Sequence, residues 1–279
     1  MKLKKSTFIK LMALIIFILQ NSTMAESNTS IQALCSHPQI CNLLNMLPHH
    51  KKIETAVIIS GDHHHFDPNP SDIKKLIMTK ELFHGPQALH PWMKTIIKQR
   101  NLNKNVINYG LTLNPQFKND FPKATDEALS HFWLYGKIAC DMLKQYEQQL
   151  QLKSRENCLK NYLEIEEKLK EYFMKNKISV VLTHDALEPL FLSLGANVIS
   201  LKGSNHHEEI SPNAIKKLYN ETKNQKLIWI LETGFDIPGS VRNKIQTKDR
   251  VIKIDTMGSV NQKLTFVLEN LLLQLQSTK

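Results

Sequence analysis

The sequence lacks the features that define several classes of protein. It has no low-complexity segment and no short-period repeat, so neither a disordered chain nor a repeat architecture is predicted. It has no HExxH motif, which argues against a zinc peptidase of that type. Its four cysteines show no CxxC spacing, which favours buried or disulfide-bonded cysteine over a metal-ligating cluster. The composition of the 279-residue chain is otherwise that of an ordinary globular protein, with 42% hydrophobic and 22% charged residues.

The N-terminus has the pattern of a secretory signal peptide. Four lysines among the first ten residues precede the apolar run Leu11–Leu19, and Thr23-Met24-Ala25 then ends in a small residue. The apolar run is well short of the roughly 20 residues that span a bilayer. No cysteine follows at a lipoprotein position. We therefore expect residues 1–25 to be removed and the mature chain to be a free, exported protein.

The charge of the chain is moderate once this leader is set aside. Removal of its four lysines lowers the net charge from +10 to +6. The remaining basic residues alternate with acidic ones, as in Lys168-Leu169-Lys170-Glu171. This mixture is typical of a solvated surface, and no nucleic-acid partner is expected.

The cysteines of an exported chain can form disulfides. Cys35 and Cys41 are close enough in sequence for a small-loop disulfide, whereas Cys140 and Cys158 lie in two predicted helices. The sequence alone leaves the pairing open.

Apolar strand patterns alternate with amphipathic helix patterns along the chain. From Ile178 onward the alternation is strict, and the first half has a similar rhythm, including a helix predicted over Asp72–Leu82 with Ser71 or Asp72 as its N-cap. This rhythm predicts an α/β fold of two α/β lobes with mostly parallel sheets. We expect lobes at residues 26–154 and 176–279, joined by a long helix at residues 155–175.

Metal-capable side chains occur near strand ends and helix starts in both halves. The run His63-His64-His65 follows the apolar stretch 56–59, and His131 precedes a predicted helix. His184 and Asp255 each follow a predicted strand. Ligands of open α/β sheets bind beyond the carboxyl ends of the strands, and neutral imidazole is the commonest metal ligand. Two side chains from each half would hold a metal in the cleft between the lobes.

The same segments resemble, in order, the motifs of the zinc- and manganese-specific solute-binding proteins of bacterial ABC transporters, called cluster A-I. Residues 64–72, HHFDPNPSD, resemble the family's His-x-Tyr-Glu-Pro-x-Pro-Ser-Asp segment. Residues 89–93, LHPWM, resemble Leu-Glu-x-Trp-Leu, and residues 130–134, SHFWL, resemble Pro-His-Val-Trp-Leu. Residues 184–186, HDA, and 255–258, DTMG, are similar to its His-Asp-Ala and Asp-Pro-Leu-Gly turns. The resemblance covers essentially the whole mature chain.

The resemblance implies a specific set of site residues. Its four metal ligands correspond to His64, His131, His184 and Asp255. The register selects His64 because the family ligand stands two residues before an aromatic residue, here Phe66. His63 and His65 become auxiliary candidates, and Glu232 matches a family glutamate that is not a direct ligand.

The chain also departs from the family pattern. The Asp-Pro flanks of the second histidine are missing, Thr256-Met257 replaces Pro-Leu, and the long loop rich in histidine and acidic residues is absent. These departures concern the details of the site.

The predicted ligand set favours zinc. Three imidazoles and one carboxylate suit tetrahedral Zn²⁺, whereas Mn²⁺ prefers more carboxylate oxygen. In the resembled family, glutamate at the third histidine position is associated with manganese, so His184 indicates zinc.

The resemblance implies a monomeric, non-enzymatic periplasmic protein that captures Zn²⁺ and delivers it to an ABC permease with its cytoplasmic ATPase. Three alternatives stay open: a manganese or iron protein of the same class, an adhesin or metal buffer, and a secreted zinc hydrolase with Glu232 as its base.

Overall fold

The structure is a computed structural model of the chain. It describes residues 33–47, 54–55, 67–122, 124–153, 157–183, 187–201, 210, 212–224, 226–233, 237 and 239–277. The predicted signal peptide lies outside the described residues. No helix within these ranges is long and apolar enough to cross a membrane.

The first half of the chain alternates short strands with helices. Its elements are β1 (Ala33–Cys35), α1 (Pro38–Leu44), β2 (Glu54–Thr55), α2 (Pro70–Met78), β3 (Glu81–His84), α3 (Met93–Arg100), β4 (Ile107–Gly110), α4 (Phe117–Asp120), α5 (Asp126–Ser130), a 3₁₀ helix (Phe132–Leu134) and α6 (Gly136–Gln149). The four strands form one parallel sheet in the order β2-β1-β3-β4.

The second half repeats this plan. Its elements are α7 (Cys158–Asn176), β5 (Ser179–Leu182), α8 (Glu188–Ser193), β6 (Asn197–Ser200), α9 (Pro212–Asn224), β7 (Leu227–Glu232), α10 (Gly239–Arg242), β8 (Arg250–Ile254) and α11 (Phe266–Gln276). Its parallel sheet has the order β6-β5-β7-β8, so each strand has a counterpart in the first sheet. The predicted α/β class with two parallel-sheet lobes is confirmed.

The central strands of the second sheet are buried on both faces. All residues of β5 and β7 are buried, and their side chains enter two different hydrophobic clusters in alternation. Val180 and Ile228 belong to one cluster, and Val181 and Trp229 belong to the other. Helices that cover both faces of a parallel sheet produce this pattern, which the continuous apolar runs predicted.

Helix α7 connects the two lobes. It has 19 residues and packs against both α6 of the first half and α11 of the second. Its contact with α6 is close at Gly136, where an added Cβ would lie 2.5 Å from the Cβ of Tyr162. The predicted lobe boundaries at residues 154 and 176 stay predictions.

The prediction for the helix at Asp72–Leu82 is wrong at both ends. The N-cap is Asn69, whose side chain accepts hydrogen bonds from the backbone N–H groups of Ser71 and Asp72. The helix ends at Met78, because Thr79 has extended backbone angles. A side chain from α3 then satisfies the end of the helix, since the buried Arg100 guanidinium donates to the helical carbonyl oxygens of Leu76 and Ile77 and to that of Thr79 just beyond. Strand β3 follows at once.

Two disulfides lie within the described residues. Cys35 and Cys41 join the end of β1 to α1, and Cys140 and Cys158 join α6 to α7. The structure thus determines the pairing that the sequence left open, and it agrees with disulfide bonding rather than metal ligation.

We expect loss of the Cys140–Cys158 disulfide to lower the free energy of unfolding by about 3 kcal/mol, because an 18-residue separation in sequence restricts the unfolded chain. Urea denaturation of a double variant, Cys140→Ala with Cys158→Ala, measures the loss. The matched control is the Cys35→Ala, Cys41→Ala double variant, whose shorter separation of 6 should cost about 2 kcal/mol. Equal stability of the α6–α7 variant and the wild type would contradict the expectation.

Candidate metal centre

Both sheets have a point at which the strand order reverses. In the order β2-β1-β3-β4, the chain passes from β1 to β2 on one side and then crosses back to β3 on the other side of β1, so the order reverses between β1 and β3. In the second sheet the order reverses in the same way between β5 and β7. Ligands of open α/β sheets bind at such points, beyond the carboxyl ends of the strands. The residues that follow these strands are Ser36 and His37 after β1, the segment 85–90 after β3, Thr183 after β5 and Thr233 after β7.

Two of the four predicted ligands are among the described residues, one from each half. His131 is fully buried between α5 and the 3₁₀ helix, and Asp255 follows β8 directly and is exposed. The other predicted metal residues, His64, His184, His63 and His65, lie outside the described residues. Within the described ranges no group of three His, Cys, Asp or Glu side chains could hold a metal by itself. The predicted ligand set therefore stays a prediction.

A hydrogen bond joins the His131 segment to the Asp255 segment. The Trp133 ring centroid lies 5.3 Å from that of His131. The indole Nε1–H of Trp133 donates to the carbonyl oxygen of Thr256 at 2.7 Å. Both Trp133 and Thr256 are buried, so water does not compete for this bond. Trp133 thus holds the His131 segment of the first lobe next to the Asp255 segment of the second lobe.

Thr256 also holds the predicted auxiliary residue Glu232. The side chain of Glu232 is buried at the end of β7, and the Thr256 hydroxyl donates a hydrogen bond to its Oε1. A buried carboxylate is tolerated when such donors compensate for its lost hydration. Glu232 therefore connects β7 to the residue beside Asp255, and its role toward a metal stays a prediction.

The Asp255 carboxylate organises its own turn. Its Oδ1 accepts hydrogen bonds from the backbone N–H groups of Met257 at 3.1 Å and Gly258 at 3.0 Å. Gly258 has a φ of +59°, a conformation that favours glycine. The other carboxylate oxygen of Asp255, Oδ2, makes no hydrogen bond to a described residue and is therefore available to a ligand.

Helix α1 of the first lobe contacts the same turn. Gln39 donates through Nε2 to the carbonyl oxygen of Met257, and Asn42 donates through Nδ2 to the carbonyl oxygen of Ser259 at 2.8 Å. An added Cβ at Gly258 would lie 2.9 Å from Gln39 Nε2, so the approach is close. The position of the Asp255 turn is therefore set partly by the opposite lobe.

Sequence reasoning missed two buried histidines beside this site, His37 and His90. Their ring centroids are 5.3 Å apart, and the His37 ring stacks on Trp133 at 5.1 Å. His37 is the N-cap of α1, and its Nδ1 accepts the backbone N–H of Gln39 at 3.1 Å. His90 belongs to the segment LHPWM, and the signal that identifies it is a histidine at the position where the resembled motif has glutamate.

The environment of His90 keeps its imidazole neutral. Burial is the main cause that lowers the pKa of His90 to about 3, and the nearby His131 acts in the same direction. The Leu89 backbone opposes this shift slightly. The side chain is 2% exposed, and both ring nitrogens lack a hydrogen bond of normal geometry to any described residue. His90 and His131 are thus electrostatic neighbours in a water-poor part of the first lobe.

The family described as "Zinc-uptake complex component A periplasmic", or ZnuA, matches residues 49–267. This match covers more than half of the chain. The chain belongs to the ZnuA family. ZnuA-family proteins are periplasmic metal-binding components of ABC transporters. The family resemblance that the motifs indicated is confirmed.

Solved structures share the fold at low sequence identity. The mutant laminin-binding adhesin Lmb of Streptococcus agalactiae has a TM-score of 0.66 at 16% identity, covering 88% of this chain and 100% of that one. AdcAII of Streptococcus pneumoniae has a TM-score of 0.64 at 17% identity, covering 90% and 100%. A zinc-bound deletion mutant of ZnuA has a TM-score of 0.62 at 14% identity, covering 90% and 99%. No curated protein sequence matches the chain.

Proposed function

We propose that this ZnuA-family protein captures Zn²⁺ in the periplasm and delivers it to a membrane permease driven by a cytoplasmic ATPase. His64, His131, His184 and Asp255 are the proposed ligands. The observation that carries the proposal is the Trp133–Thr256 hydrogen bond, because it connects the buried His131 segment of one lobe to the residue beside Asp255 of the other. A metal held by both segments would link the lobes at this contact.

The choice of zinc over manganese rests on the donor types. A set of three imidazoles and one carboxylate matches tetrahedral zinc coordination. Mn²⁺ prefers sites with more carboxylate and carbonyl oxygen. The described part of the centre supports this choice, since Glu232 is engaged by Thr256, the Trp133 ring contacts His131, and the His37 ring stacks on Trp133.

The hydrolase alternative finds less support. A catalytic zinc site keeps an open position for water and needs a general base nearby. Glu232 is the candidate base, but its Oε1 accepts the Thr256 hydroxyl in a buried position at the end of β7. Four protein ligands would also leave no open position for water.

A gene deletion in the native host tests the proposed cargo. We expect the deletion strain to grow poorly when zinc is chelated and normally when manganese is limiting, with growth restored by the wild-type gene. Binding strength alone does not decide the cargo, because Zn²⁺ outcompetes Mn²⁺ at most nitrogen and oxygen sites. The metal content of protein purified from the native periplasm is the second measurement. A growth defect confined to manganese limitation, with manganese in the purified protein, would overturn the choice of zinc.

A further inference from the structure

His90 lies at the carboxyl edge of the first sheet, where the strand order reverses. It follows β3, one of the two strands that flank that point, through the short segment 85–90. The side chain is 2% exposed, and neither Nδ1 nor Nε2 makes a hydrogen bond of normal geometry to a described residue. Buried polar atoms without a partner are rare and costly, and a bound ion is one explanation for them.

The ring of His90 is close to the segment that carries His131. The His37 ring lies 5.3 Å from His90 and 5.1 Å from Trp133, and Trp133 lies 5.3 Å from His131, all centroid to centroid. These four rings therefore form one contiguous buried cluster that includes both His90 and His131.

His37 is excluded as a ligand by its hydrogen bond. Its Nδ1 accepts the backbone N–H of Gln39 at 3.1 Å, so the neutral ring carries its hydrogen on Nε2. Neither nitrogen then offers a lone pair to a metal. His90 has no such bond among the described residues, and its ring can present either nitrogen.

We infer that His90 is an additional imidazole ligand of the metal that His131 binds. The inference rests on the proposed function, because it concerns the same centre. His90 occupies the position where the resembled family motif has a glutamate that is not among the four implied ligands, so its imidazole would be a fifth protein donor, and zinc sites can expand to five-coordinate. A centre richer in nitrogen favours zinc over manganese more strongly. His90 is thus a determinant of metal specificity in this chain.

X-ray absorption of the zinc-loaded protein tests the ligation directly. In a His90→Gln variant we expect one imidazole fewer in the scattering around zinc, and zinc affinity reduced by about 100-fold in a chelator competition. The matched control is His84→Gln: His84 is also buried at the end of β3, but its Nδ1 bonds to the Gly85 carbonyl at 3.0 Å. This control should keep the wild-type scattering and affinity.

The outcomes separate the two proposals. An imidazole count and an affinity in His90→Gln equal to those of the wild type would overturn the role of His90 and leave the zinc function intact. A wild-type protein that takes up no zinc would overturn both. His90→Glu should lower the preference for zinc over manganese by about 10-fold or more, because it places a hard oxygen donor at the centre.

A second measurement guards against misfolding. In a His90→Leu variant the unpartnered nitrogens are replaced by apolar atoms of similar volume. We expect the metal-free variant to unfold at the wild-type temperature or higher, while the rise in unfolding temperature on adding Zn²⁺ shrinks. A histidine with a purely structural role would give the opposite pair of results, a less stable metal-free protein with an unchanged zinc response.

Discussion

A His131→Ala variant is expected to bind zinc about 100- to 1,000-fold more weakly than the wild type. Four-ligand zinc sites bind with about 10–16 kcal/mol, so one ligand of four contributes about 2.5–4 kcal/mol, which corresponds to this range of affinity. His131 is fully buried, so water does not easily replace the lost imidazole. Competition against a chromophoric chelator measures the change.

Two controls show whether the loss belongs to the metal centre. His131→Ala leaves a cavity beside Trp133, so thermal unfolding of the metal-free variant must show that it is folded at the assay temperature. His84→Ala removes another buried histidine, from the end of β3, and should leave zinc affinity unchanged. Equal affinities of His131→Ala and the wild type would remove His131 from the ligand set.

The lobes could be predicted from the sequence because strand and helix patterns have different periods. Strands β5 and β7 are buried at every position and apolar at all but Ser179 and Glu232, as parallel strands covered on both faces require. Strand β3 was missed because Leu82 and Phe83 continue the apolar pattern of the helix before it. The break at Thr79 depends on Arg100, which lies about twenty positions further along the chain and satisfies the helix end. A single-sequence pattern does not contain that contact.

The site could be predicted less completely than the fold. His131 and Asp255 were identified by their motifs and by their positions near element ends. The role of Trp133 was not, since a Trp in an apolar segment predicts core, and only its bond to Thr256 shows the connection to the other lobe. His90 could not be predicted for a similar reason. Its burial and its lack of hydrogen bonds to described residues are known only from the folded structure.

The contacts around the Asp255 turn indicate how the lobes are coupled before any metal binds. Gln39 and Asn42 of α1 donate to this turn from the first lobe, and Trp133 donates to Thr256 within it. Thr256 donates in turn to Glu232 at the end of β7. These bonds reduce the ordering that metal binding must impose on Asp255, and pre-ordered ligands bind more tightly.

A Trp133→Ala variant should therefore lose both stability and zinc affinity. Trp133 is fully buried and packs against the rings of His37, His131 and Phe132, so its truncation is expected to cost about 3–5 kcal/mol of unfolding free energy. Residues that orient metal ligands typically contribute 10- to 100-fold in affinity, so zinc binding should weaken by about that factor. Urea denaturation of the metal-free protein and chelator competition measure the two effects separately.

Trp133→Phe separates the packing of the ring from its hydrogen bond. Phenylalanine keeps most of the apolar contacts but lacks the indole N–H, so the Thr256 carbonyl is left without this donor at a cost of about 1–3 kcal/mol. If the bond positions the Asp255 turn, zinc affinity should fall in Trp133→Phe nearly as far as in Trp133→Ala, although the Phe variant is more stable. A Phe variant with wild-type affinity would contradict the coupling and reduce Trp133 to a core residue. The comparison is decisive because the bond joins the first lobe to the second, so its loss acts on the geometry of the centre even where the core stays filled.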